Sequence, residues 1–114
     1  MTLRTKDFAL RIMRMSSSLP KSSVAQVLGK QILRSGTSIG ANSREANRAR
    51  SKAEFIAKMG DSLKELDETF YWLELLPESG IVSTTRIADL ADESRQLTAI
   101  FITIIKRARS TKGS

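Results

Sequence analysis

The 114-residue chain has neither cysteine nor histidine. Those absences remove disulfides, thiolate nucleophiles, imidazole bases and the metal sites built on such ligands, zinc above all. Two prolines and six glycines supply little turn material, which argues for a few long helices rather than many short strands. No window reaches the roughly 18 consecutive apolar residues of a membrane span. No apolar stretch follows the basic residues of Met1–Asp7, as it does in a secretory leader, so a cytoplasmic protein with no membrane partner is expected. The length suits one hydrophobic core, hence a single domain over residues 1–114.

What the chain does have is positive charge. Lys and Arg number 19 against 12 Asp and Glu, a formal charge of +7, while 40% of residues are hydrophobic. That is too apolar for a disordered basic tail, so a folded protein that attracts polyanions is expected. The charge is uneven along the chain. Residues 1–52 carry +9, residues 53–105 carry −6, and residues 106–114 add +4, with a basic flexible tail expected from about residue 110.

Apolar periodicity marks four helices. Phe8, Ile12, Met15 and Leu19 form one stripe between Asp7 and Leu19, ended by Pro20, with an extension back towards Thr2 left open. A capping box of Ser23 with Gln26 opens a second helix whose core face is Val24, Leu28, Ile32, Ser35, Ile39, Asn42 and Ala46, if the helix runs unbroken through residues 35–38. Gly29, Gly36, Gly40 and Ser43 share a flank where a neighbouring helix must come close, because interior glycines each cost about 1 kcal/mol relative to Ala. Ser35 and Asn42 are expected to hydrogen-bond between helices. A box of Ser51 with Glu54 opens the third helix, with Phe55, Met59, Leu63, Leu66, Phe70 and Leu73 inward; Pro77 to Gly80 closes it. The fourth starts near Ser83–Thr85 and buries Ile87, Leu90, Ser94, Leu97, Phe101, Ile105 and Ala108. The fold class is all-α, an up-down-up-down four-helix bundle.

Lys30, Arg34, Arg44, Arg48 and Lys52 fall on one outer stripe of the second helix, with Glu45 the only acid among them. This is a candidate phosphate-backbone track, joined by Arg11, Arg14 and the terminal Lys106, Arg107 and Arg109; the alternative is a solvated helix face. Tyr71, Trp72, Leu75, Leu76, Ile100, Ile102 and Ile104 exceed one buried stripe and form a candidate oligomer interface, unless the bundle's own core takes them. Trp72 is the one outward-facing aromatic and sits among acids, so base stacking is not expected. No catalytic constellation is found. Gly29-Lys30 lacks the upstream glycine of a phosphate-binding loop, and Glu65, Asp67 and Glu68 read as a solvated acidic face. Neither enzyme activity, metal nor cofactor is expected.

The runs Leu19-Pro20-Lys21, Gln31-Ile32-Leu33-Arg34-Ser35-Gly36-Thr37-Ser38-Ile39-Gly40-Ala41-Asn42, Glu45-Ala46, Ser51–Lys58 and Lys64–Leu76 resemble a bacterial four-helix-bundle family, the proteins encoded by intervening sequences in 23S ribosomal RNA genes. Accessory variability proteins of diversity-generating retroelements are related to it. The resemblance spans about Phe8 to Ile105. It implies a bundle that assembles as a homo-oligomeric ring, commonly a pentamer, with a basic surface that meets RNA or DNA. Through the retroelement relatives it also implies a reverse transcriptase as a partner. The rival class is a protein-interaction scaffold whose basic and acidic faces pair between subunits.

Overall fold

A computed structural model describes residues 2–110, and among them the chain forms four helices: α1 (Thr2–Ser17), α2 (Ser23–Asn47), α3 (Lys52–Glu78) and α4 (Thr84–Ser110). No strand occurs among the described residues. The basic tail expected from about residue 110 lies, beyond Ser110, outside them. Helix α1 does extend back to Thr2, and it stops at Ser17, before the Leu19 boundary read from the sequence; Leu19 N–H still closes a turn on Ser16 O.

Local chemistry sets the ends. Ser22, not Ser23, caps α2: its hydroxyl accepts from Ala25 N–H at 3.2 Å, and Gln26 reaches back to Pro20 O instead of completing the expected box. Ser51 caps α3 as expected, accepting from Glu54 N–H at 3.1 Å. At the other end Gly80 adopts φ +82, and the N–H groups of Gly80 and Ile81 bond to Pro77 O and Leu76 O. That is a Schellman closure, which needs the left-handed position glycine tolerates.

Packing is antiparallel throughout. Helix α2 runs unbroken and is central, with α1 against one flank and α3 against the other. On the α1 flank, Gly29 faces Leu19, Gly36 faces Ile12 and Gly40 faces Thr5, and a Cβ at position 36 would stand 2.9 Å from Ile12 Cγ2. On the α3 flank, small hydroxyls replace apolar bulk: Ser62 donates to Ile39 O at 2.6 Å, and Thr69 and Ser35 hydroxyls meet at 2.8 Å. Ser35 is thus interhelical as expected. Asn42 is only half-buried, and Val24, expected in the core, is 57% exposed. The real α3 stripe is Met59, Ser62, Leu66, Thr69, Leu73 and Leu76; Phe55, Leu63 and Phe70 are half-buried at its border, with the Arg95 guanidinium 5.0 Å over the Phe70 ring.

Polar contacts also tie the first segment to α4. Arg4 makes a paired contact with Glu93, Nε to Oε2 and Nη2 to Oε1 at 2.8 Å each, and Arg86 donates to Ser18 Oγ. The product is a rod of 52 × 20 × 20 Å. No helix among the described residues is long and apolar enough to cross a membrane.

Two glycine substitutions have opposite expected signs. Gly36→Ala drives a methyl into Ile12, and overpacking of this kind costs about 1–3 kcal/mol. Gly60→Ala meets nothing within 4 Å and gains up to about 1 kcal/mol of helix propensity. Thermal unfolding ranks the two; equal midpoints would contradict the packing described.

Candidate nucleic-acid interface

The cations of α2 do not form one row. Arg34 leans towards α3, where its guanidinium lies 3.3 Å from Glu65 Oε2 and 2.5 Å from Glu68 Oε1. That pairing raises the Arg34 pKa, chiefly through the hydrogen bond to Glu68. Arg48 is the C-cap of α2 and Lys52 the first residue of α3. The single helix face drawn through all five in the sequence therefore breaks at the α2–α3 turn. Glu45, the acid among the cations, is held by Lys58 of α3 at 3.1 Å, and that hydrogen bond raises the Lys58 pKa.

The remaining α2 cations tilt towards α1. Because the small-residue flank lets α1 lie close, a groove runs between the two helices. At one end it is lined by Lys30 with Gly29, Leu33 and Met13. At the other, Lys6 of α1 joins Arg44 and Arg48 around a hollow of about 380 Å³. Fourteen residues separate Lys30 from Arg44, so these ends lie about 21 Å apart at 1.5 Å per residue. Lys6, Arg14, Lys30, Arg44 and Arg48 are exposed and form no ion pair within 4.0 Å among the described residues. Lys106, Arg107 and Arg109 occupy the last turns of α4, which antiparallel packing brings to the end of the rod where α1 begins and α2 stops.

Lys6 is absent from the sequence-derived track, although the small flank of α2 and an antiparallel α1 together point to it. Arg11 belongs elsewhere: it is half-buried on the α4 side of α1, close enough for its charge to act on Glu93. Of the residues expected at an oligomer interface, Leu76 belongs to the core of the bundle itself. Leu76 is 0% exposed in the core, while Trp72, Leu75, Ile100 and Ile104 are half-buried and pack against it. Tyr71 and Ile102 are exposed. Exposed apolar side chains concentrate instead on α1 and α2, at Leu3, Leu10, Met13, Val24, Val27 and Leu33.

The chain is similar in sequence and shape to known proteins. Residues 2–103 match the family described as 23S rRNA-intervening sequence protein. A crystal structure from Bacteroides thetaiotaomicron, of a protein with unknown function from the S23 ribosomal protein family, superposes with a TM-score of 0.87 at 42% identity, covering 92% of this chain and 97% of that one. No match is found among curated proteins.

Glu93 offers a check on the seam that holds α1. The hydrogen bond from Arg4, aided by the charges of Arg4 and Arg11 and opposed by burial, holds its carboxyl below the usual glutamate range. A depressed carboxylate contributes stability that is present above its unfolded value, about 4.3, and lost as pH falls through the folded one. Glu93→Gln should therefore be less stable than the parent at pH 7, with the gap in unfolding midpoint narrowing at pH 3. A gap of constant size would refute the ion pair's role.

Proposed function

We propose, starting from the fact that this chain belongs to the family of 23S rRNA-intervening sequence proteins, that it is a non-enzymatic protein binding nucleic acid, RNA foremost, through phosphate contacts on its α1–α2 face. One observation carries this reading: Lys6, Arg44 and Arg48 line one groove, and the single carboxylate beside them, Glu45, is already engaged by Lys58. Lys30 continues the positive line towards the other end, with Arg14 on the outer surface of α1. A solvated helix face that served only stability would mix signs for i,i+4 pairing. Contacts of this kind grip the backbone rather than the bases, so binding is weakly sequence-specific and falls steeply with salt.

A second reading, self-association, is favoured by the exposed Leu10, Met13 and Leu33 near the Lys30 half of the groove. Exposed apolar clusters rimmed by charge are typical of subunit contacts. A homo-oligomer built there leaves the Lys6–Arg44–Arg48 half open to a polyanion. Ring size, including the pentamer implied by the family resemblance, follows from the angle between copies.

Each backbone phosphate neutralised contributes about 0.7–0.9 to the slope of log Kobs against log salt. The triple variant Lys6→Ala/Arg44→Ala/Arg48→Ala should flatten that slope by about 2 to 3 on a mixed-sequence RNA. Arg34→Ala should leave it nearly unchanged, because Glu65 and Glu68 already take its charge. An intact slope in the triple variant, or equal flattening by Arg34→Ala, would overturn the groove as the contact surface.

For self-association, light scattering on nuclease-treated protein should give a mass above that of one chain, reduced by Met13→Glu/Leu33→Glu. A monomeric parent, or an assembly indifferent to the double variant, would remove this second reading.

A further inference from the structure

The hollow at the Lys6 end has a chemistry of its own. Thr5, 2% exposed, forms its floor with Gly40, and Ala9 and Ala41 are among its walls. Three cations bound it, and its one carboxylate is paired outward to Lys58. Helix dipoles account for only part of this arrangement. Arg44 and Arg48 sit at the C-terminal end of α2, where a cation is favourable in any case. Lys6, the fifth residue of α1, lies past the first turn, so its own helix dipole does not account for it. A negative group placed in the hollow would meet Lys6 together with Arg44 and Arg48.

The charge count points to the class of that group. An internal phosphodiester carries one negative charge, which three cations around one hollow exceed. A phosphomonoester carries about −1.5 to −2 at pH 7 and offers three acceptor oxygens. Two guanidinium forks and one ammonium are the donor types that suit those oxygens, since arginine binds phosphate through paired N–H donors and lysine as a point charge. We propose that the hollow bounded by Lys6, Arg44 and Arg48 is a phosphomonoester site that takes the phosphorylated end of a nucleic-acid strand. The inference rests on the polyanion reading of the same face and sharpens it from a uniform track to a track with an anchor for one terminus. The hollow, about 380 Å³, is within the usual range for small-ligand sites, so a free mononucleotide carries the same recognisable group.

Three oligoribonucleotides of one sequence test it, bearing a 5′-phosphate, a 3′-phosphate or hydroxyls at both ends. One phosphorylated form should bind the full chain about tenfold more tightly than the hydroxyl form, the scale of one charge-assisted contact. Lys6→Ala/Arg44→Ala/Arg48→Ala should abolish that difference. Arg14→Ala/Lys30→Ala should weaken all three strands while preserving it, and circular dichroism confirms that both variants keep their helices. Equal binding of all three by the parent protein overturns the anchor and leaves the polyanion reading standing. If no strand binds, the polyanion reading fails, and calorimetry with a nucleoside 5′-monophosphate against its nucleoside decides the hollow separately. Binding of the monophosphate alone, lost in the triple variant, identifies a free metabolite as the source. Binding of neither overturns the site.

Discussion

Ile12 can lie against α2 only because position 36 carries no Cβ. A methyl there would stand 2.9 Å from Ile12 Cγ2, and close-packed interiors do not absorb such an overlap without displacing a helix. Gly29 and Gly40 extend the same tolerance along the flank, so α1 settles at one depth and one register. That register brings Lys6, near the start of α1, beside Arg44 and Arg48, at the end of α2. A bulkier flank would push α1 outward and widen the groove that holds these three side chains together. The proposed binding face thus depends on an apolar constraint made about two turns away from it.

The opposite flank of α2 solves a related problem with hydroxyls. Serine and threonine are small enough for close helix approach, and each must direct its O–H to a partner when buried. Ser62 on Ile39 O and Thr69 on Ser35 do so across the interface, which fixes the sliding register of α3 as well as its distance. This register then decides the fate of the surface charges. It aligns Glu65 and Glu68 with Arg34, and Lys58 with Glu45. What remains is a positive face directed to α1 rather than a stripe pointing straight outward.

The architecture was legible in the sequence because helical periodicity is local. Ile32, Ile39, Leu66, Leu73, Leu97 and Phe101 fall on the inward stripes of the pattern and are all fully buried. The Ser51 cap and the Gly80 closure follow from side-chain and backbone chemistry within a few residues. The misplacements have a common cause in tertiary context. Leu76 and Trp72 look surplus on a single wheel, yet two neighbouring helices take more than one stripe from α3, and the Trp72 indole N–H is left buried without a partner. Val24 keeps the period but sits in the first turn of α2, where it stays exposed. Arg34 and Arg48 share a wheel position, but one faces carboxylates of α3 and the other ends the helix. Lys6 is not legible in the sequence because its neighbours in the hollow are distant along the chain, and only the antiparallel register of α1 on α2 joins them.

The rod is 20 Å across, and its positive and negative halves lie side by side over that width. At physiological ionic strength the Debye length is about 8 Å, less than half the thickness of the protein. A polyanion resting on α1 and α2 is therefore shielded from most of the acidic charge on α3 and α4. In dilute salt the screening length grows to about 30 Å at 0.01 M, and the same polyanion senses both halves at once. The two faces act as electrically separate surfaces at physiological ionic strength and as one transverse dipole in a low-salt buffer, so the net charge of the chain governs its behaviour only in the latter.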